Sequence, residues 1–196
     1  MRNYYKEQIE LCNSLKVNNI KPKLLLHTCC ALCFSSAFMQ CKDYFDITVF
    51  FYNPNIYPSD EYNKRKNETL RLIEIFKKEF NVNIEFVEQL EEFETHKEKK
   101  IHDNKCMDCI YNRLLVSYNY ADEHNFDYIT TTLTVGRLKN STMINQLGEI
   151  LEPNFKTKYF YSNFKKNNGI NLSLEMKEKY NIYAQNYCGC EPYYNN

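Results

Sequence analysis

Only four glycines are scattered through the 196 residues, and no Gly-x-Gly-x-x-Gly or Gly-x-x-x-x-Gly-Lys-Ser/Thr loop is built from them. The backbone cradle for phosphates is therefore missing, and no nucleotide cofactor is expected. Charge of one sign is missing too: 25 Lys and Arg balance 25 Asp and Glu, so any polyanion site has to be a local patch. No apolar run approaches the roughly 18 residues that span a bilayer, and residues 1–10 hold no signal-peptide core. The chain is expected to be soluble and cytoplasmic, with no membrane partner. Low-complexity tracts, internal repeats and long Gly/Pro linkers are absent, so a single domain over residues 1–196 is expected. The four histidines form no His-x-x-His or His-Glu-x-x-His pattern, which argues against hydrolytic zinc.

What the chain does have is cysteine. Seven of its nine fall into three tight groups: Cys29-Cys30-Ala-Leu-Cys33, Cys106-Met-Asp-Cys109 and Cys188-Gly-Cys190. In a reducing cytosol such groups are metal ligands or redox centres rather than a disulfide frame, and nine is an odd number for a frame. One zinc or one four-iron cluster takes four thiolates, so seven gathered in one place leave three over. The surplus suggests a second metal. A structural zinc joining two pairs leaves the other cysteines idle, and a thioredoxin-like dithiol at Cys106 and Cys109 would have to follow a strand, where a long charged segment stands instead. Cys12 and Cys41, each alone near helix positions, read as small apolar core residues.

Apolar periodicity gives the architecture. Ile9, Leu11, Cys12 and Leu15 predict a helix over about residues 3–16. Leu24 to Leu26 and Ile47 to Tyr52 read as buried strands, Val82 to Val87 as an alternating one. Leu70, Ile73, Phe76 and Phe80 stripe a charged helix from Ser59 to Phe80, and Ile110, Leu114, Tyr118 and Ala121 stripe another after Cys106. Phe126 to Thr132 predicts a fourth strand, Ser141 to Leu151 a helix, Lys158 to Tyr161 a fifth strand and Leu172 to Tyr180 a last helix. Strands alternating with helices argue for an α/β fold, a doubly wound parallel sheet over about residues 22–182. A tail of about residues 183–196 folds back onto it. Ligands of such sheets bind beyond the carboxyl ends of the strands, where Cys29, Cys30 and Cys33 follow the first strand. Cys106 and Cys109 sit at a helix start, where partial positive charge favours thiolates. Gly189 allows the tight turn that double ligation by Cys188 and Cys190 needs. Neighbouring side chains of an extended chain diverge, so Cys29 and Cys30 are expected to face two different metals. His27, just before the pair, is either a partner of a ligating sulfur or a satisfied core residue; His96, His102 and His124 read as solvated.

Taken together, Leu26-His-Thr-Cys29-Cys30-Ala-Leu-Cys33, Phe51-Tyr-Asn-Pro-Asn-Ile56 followed by Tyr62, Arg65 and Lys66, Cys106-x-x-Cys109, Thr130-Thr-Thr-Leu133, Lys139-Asn140 and Gln185-Asn-Tyr-Cys188-Gly-Cys190 resemble, in order, the QueH family of epoxyqueuosine reductases. The resemblance implies a HUP-like, Rossmann-like α/β fold. It also implies reduction of the epoxide on a modified tRNA wobble base to an alkene, using a [4Fe-4S] cluster beside an additional mononuclear iron and no cobalamin. Leu32 stands where relatives often have proline, and Arg137-Leu138 where they often have Pro-His, which puts a histidine role near Lys139 in doubt.

The cysteine count suits that chemistry. Removing an epoxide oxygen takes two electrons, a Lewis acid and protons. Four cysteines for a cluster and three for a lone iron use all of Cys29, Cys30, Cys33, Cys106, Cys109, Cys188 and Cys190, in a partition the sequence leaves open. Tyr187, His27 and Asp108 are the candidate proton donors, by proximity to ligands. The partners implied are tRNA carrying epoxyqueuosine in its anticodon and an external electron donor. Lys64-Arg65-Lys66, Lys99-Lys100, Lys105, Arg113, Arg137, Lys139 and Lys165-Lys166 are candidates for a phosphate-tracking patch, with tyrosines as stacking surfaces. Two other readings stay open: a zinc-stabilised RNA-binding module without catalysis, and a dithiol oxidoreductase.

Overall fold

The structure is a computed structural model that describes residues 2–90 and 104–190. His96, His102, Lys99, Lys100 and the end of the tail lie outside the described residues. Helix α1 (Tyr4–Val17) starts where the Asn3 side chain accepts from the Lys6 N–H. Then follow β1 (Lys23–His27), α2 (Ala31–Cys41), β2 (Asp46–Phe51), α3 (Ser59–Phe80), β3 (Glu85–Glu88), α4 (Asn104–Glu123), β4 (Tyr128–Thr131), α5 (Ser141–Leu151), β5 (Lys158–Tyr159) and α6 (Gly169–Tyr180). The five strands form one sheet in the order β3-β2-β1-β4-β5, with every pairing parallel.

Because successive side chains of a strand face opposite ways, β1 feeds two cores. Leu24 and Leu26 pack with Phe34, Phe38 and Phe76 on the side of α1, α2, α3 and α6. Leu25 packs with Phe50, Leu114, Tyr118 and Leu147 on the side of α4 and α5. Each such side chain is fully or nearly fully buried, which stabilises the fold by about 1.5–3 kcal/mol apiece.

Helix α2 is the element the apolar pattern did not announce. Its sequence, ALCFSSAFMQC, carries no charged residue, and seven of its eleven positions are buried. A helix enclosed on most sides has no polar face to create a 3.6-residue contrast. Elsewhere the differences are at element ends. Arg65, Thr69, Leu72, Ile73 and Phe76 form the buried face of α3, so Leu72 joins the expected stripe while Leu70 and Phe80 lie at its margin. The fourth strand ends at Thr131 and tightens into a 3-10 turn over Thr132–Val135, and β5 keeps only two residues.

Strand order places β1 between β2 and β4, with connections leaving to opposite faces. That arrangement opens a crevice at the carboxyl ends of β1 and β4. Two bonds fix its floor: Thr28 N–H donates to Phe50 O at 2.9 Å, and Asn53 Nδ2 donates to Thr28 O at 2.8 Å.

Candidate metal centre

The chain leaves β1 at His27 and enters α2 with Cys30 as the residue that precedes its first turn. The Sγ atoms of Cys29, Cys30 and Cys33 all lie within 4.8 Å of one another, and those of Cys29 and Cys30 are 3.9 Å apart. The two sulfurs are thus neighbours, a separation that leaves Cys29 and Cys30 able to serve one metal or two. The strand has already ended and the chain is turning into a helix, so strand alternation no longer governs where the two side chains point. Hydrogen bonds from Cys30 and Cys33, aided by Arg113, hold the Cys29 thiol well below its usual range. The same contact pushes Cys30 up to about 12, and Cys33 up as well. A cation bound among the three sulfurs would displace the protons they carry.

A second group assembles from distant segments. Cys109, on the second turn of α4, neighbours Cys190, and Cys190 neighbours Cys188. The Cys190 contact, with help from Arg113, draws Cys109 down to about 7. Lys139 Nζ lies 3.0 Å from Cys188 Sγ and within the electrostatic reach of Cys106, while Asn55 Nδ2 lies 3.6 Å from Cys190 Sγ.

Further hydrogen bonds fasten the tail. Tyr57 N–H donates to Gly189 O at 2.6 Å, and Tyr187 donates its hydroxyl to Tyr57 O at 2.5 Å. Arg65 donates to Cys188 O at 3.1 Å and to Tyr187 O at 3.2 Å, its Nε being paired with Glu61 at 2.7 Å. Gln185 Nε2 reaches Cys30 Sγ at 3.0 Å, which ties the tail to the opening loop. Gly189 sits at φ +114°, where a Cβ would come within 3.0 Å of Ile56 and 3.2 Å of the Arg65 guanidinium. Only glycine suits a left-handed turn pressed against its neighbours. The fold-back of the tail expected from the sequence is what the structure shows.

Arg113 joins the two groups. It is 3% exposed and bonded to Asn53 Oδ1 at 2.5 Å and His27 Nε2 at 3.3 Å. The opposite charges that act on it are those of Cys109, Cys29, Cys188 and Cys190. An isolated buried cation is costly, so the thiolates and the guanidinium stabilise one another. Arg65 feels Cys29 and Cys30 in the same way.

Arg65 and Arg113 are therefore not part of a phosphate-tracking surface, as their positive charge in the sequence suggested: both are buried in the fold. Lys139 points at a sulfur, Lys66 pairs with Glu88 at 3.0 Å, and Lys165 donates to Lys139 O. Lys64, stacked over the Tyr183 ring at 3.8 Å, and the exposed Arg137 and Lys166 remain at the surface. A positional signal for Arg113 existed: it is four residues after Cys109, hence on the same face of α4.

Of the three proton-donor candidates, His27 is fully buried, with Nδ1 2.7 Å from Thr131 Oγ1 and Nε2 3.1 Å from Tyr52 O. Burial, then Arg113, lowers its pKa to about 3, which keeps it neutral. Asp108 is exposed between the two cysteines of α4, and Tyr187 is half-buried on the tail. Cys12 and Cys41 pack in the apolar core, as their isolated positions suggested.

A donor set of thiols alone, with buried cations beside them and no carboxylate among the contacts described, suits a soft, thiolate-bound metal group such as an iron–sulfur cluster. The fold and this set define a parallel-sheet, HUP-like α/β protein with a candidate thiolate metal site at its switch point. A family model described as "Epoxyqueuosine reductase QueH" matches residues 24–195, and the chain belongs to that family. It is 34% identical to the epoxyqueuosine reductase QueH of Staphylococcus epidermidis, over 96% of this chain and 83% of the relative. The protein of the same name from Streptococcus pyogenes serotype M1 is 34% identical over 96% of this chain and 76% of its own, and that from Thermotoga maritima 29% over 85% and 88%. Among solved structures, the U34-tRNA thiolase NcsA from Methanococcus maripaludis with its [4Fe-4S] cluster superposes with a TM-score of 0.50 at 10% identity. The match covers 93% of this chain and 66% of that one. At that identity the likeness is one of fold. Among the described residues, no helix is long and apolar enough to cross a membrane.

Proposed function

We propose that the chain reduces the epoxide of epoxyqueuosine, at the wobble base of tRNA, to the alkene of queuosine. The observation that carries this reading is the meeting of three sulfur-bearing segments in one crevice of a QueH-family fold. Within it, Cys106, Cys109, Cys188 and Cys190 would hold a [4Fe-4S] cluster, and Cys29, Cys30 and Cys33 an additional mononuclear iron. Proximity supports that partition, since Cys109 neighbours Cys190 and Cys190 neighbours Cys188, while Cys29, Cys30 and Cys33 form their own triangle. Bound there, the metals supply electrons singly and a Lewis-acidic position for the epoxide oxygen, without cobalamin.

The protein's own groups do the rest. Arg65 and Gly189 hold the tail across the crevice, and Arg113 balances negative charge between the two thiol groups. His27, neutral and enclosed, positions Arg113 and Thr131, and the proton donors are sought in exposed Asp108 and half-buried Tyr187, whose hydroxyl rests on Tyr57 O. tRNA carrying epoxyqueuosine and an external one-electron donor are the partners. Phosphate contacts by Lys64, Arg137 and Lys166 make tRNA affinity fall as salt rises.

The experiment is anaerobic reconstitution followed by iron, sulfide and zinc counts and by turnover on epoxyqueuosine-containing tRNA with a low-potential reductant. The expected result is a brown protein with about five irons and about four sulfides that yields queuosine. Zinc without sulfide and no turnover would replace this reading with a zinc-stabilised RNA-binding module. Metal-free cycling of a disulfide would replace it with a dithiol oxidoreductase.

A further inference from the structure

Lys139 is held from both sides. Its N–H donates to Gly136 O at 3.2 Å, closing the turn that follows β4, and the next residue, Asn140, caps α5 by accepting from Met143 N–H at 3.1 Å. Lys165 reaches across from the loop before α6 to donate to Lys139 O. With its backbone fixed at three points, the half-buried side chain extends into the crevice and places Nζ 3.0 Å from Cys188 Sγ. Asn55 does a lesser version of the same thing. It is 5% exposed, its Nδ2 is 3.6 Å from Cys190 Sγ, and its Oδ1 has no partner among the described residues. Two neighbouring sulfurs of the tail thus each receive one N–H donor, a charged one on Cys188 and a neutral one on Cys190.

We propose that Lys139 sets the reduction potential of the iron–sulfur centre through its N–H···S bond to Cys188, with Asn55 adding a weaker contribution through Cys190. The inference rests on the four-thiolate assignment made under Proposed function. Its physics is electrostatic: a donor on a ligating sulfur withdraws charge that the sulfur would give to iron. It also stabilises the more negative, reduced state over the oxidised one, so the potential rises. A cationic donor acts more strongly than a neutral one at equal distance, and here it is also the closer. Lys139 is a positioning and tuning residue in this account; it moves no proton.

The test is a redox titration, followed by electron paramagnetic resonance, of the reconstituted full chain and of Lys139→Met, Lys139→Gln, Lys139→Arg and Asn55→Leu, each with iron and sulfide counted first. Lys139→Met is expected to keep its iron and sulfide while the reduced-to-oxidised ratio at fixed poise falls about tenfold, which is about 59 mV for a one-electron couple. Lys139→Arg, which keeps the charge and an N–H, restores most of that shift, and Lys139→Gln a smaller part. Asn55→Leu moves the midpoint the same way by less. Equal midpoints for wild type and Lys139→Met at equal iron and sulfide overturn the proposal alone. Loss of iron from both Lys139→Met and Lys139→Gln overturns it in favour of a structural role. Wild type that binds no sulfide overturns the four-iron reading, and the proposal with it.

Discussion

Cys29, Cys30 and Cys33 are gathered by one strand end and one helix start, so their triangle comes with the sheet itself. Cys188 and Cys190 belong to a tail with no regular structure, brought to Cys109 by Arg65, Gly189, Tyr57 and Gln185. The first group is a product of secondary structure, the second of individual bonds. The crevice therefore has a rigid half and a fastened half, and the two should fail separately.

The largest effect is expected where the fastened half loses a ligand. Cys188→Ala or Cys190→Ala abolishes turnover in a single-turnover assay on epoxyqueuosine-containing tRNA while the fold survives. Retained activity would show that the tail does not complete the site. Next is Arg65→Met. It removes the bonds to Cys188 O and Tyr187 O and leaves Glu61, whose side chain is 10% exposed, held by the Tyr183 hydroxyl without its cation, at a cost of about 3–5 kcal/mol in a denaturant titration. Alkylation of the metal-free variant followed by mass spectrometry should then label Cys188 and Cys190 faster than in wild type, with no acceleration at Cys29, Cys30 and Cys33. Equal acceleration at all five would erase the distinction between the halves.

Arg113→Met acts on both halves at once, because the guanidinium faces Cys29 as well as Cys109 and Cys188. Affinity for iron should fall by about 10–100-fold at both groups, read by competition with a chelator. The smallest effect concerns acid. Glu68 accepts from Arg71 at 2.7 Å and from Tyr183 N–H at 2.9 Å, and the Arg71 bond lowers its pKa. A depressed carboxyl stabilises the fold above its unfolded value of about 4.3 and loses that contribution as pH falls through the folded value. At under about 1 kcal/mol, the loss should disappear from the acid limb of the stability profile in Glu68→Gln.

Much of this was legible in the residues. The apolar runs at Leu24 and Ile47 marked the inner strands, and the alternation of strands and helices gave the parallel sheet whose carboxyl edge carries the site. The cysteine groups marked sulfurs that the fold brings to the crevice, and Gly189 the turn between two of them. Helix α2 escaped because enclosure removes the polar face that periodicity needs. Arg65, Arg113 and Lys139 were misread as surface charge for a related reason: composition counts a cation without saying what lies beside it. Each is balanced by sulfurs, carbonyls or a carboxylate that become neighbours only when the chain folds. The convergence of Cys29 and Cys30 was likewise hidden, since it depends on where the strand stops.

The most direct test of the central claim is Mössbauer spectroscopy on protein reconstituted with iron-57, comparing wild type with the Cys188→Ala, Cys190→Ala double variant. Two independent thiol groups predict that the cluster signal and the acid-labile sulfide vanish together, leaving about one iron of about five. A double variant that keeps its cluster signal, or that loses all iron, would contradict the division of the crevice into these two sites.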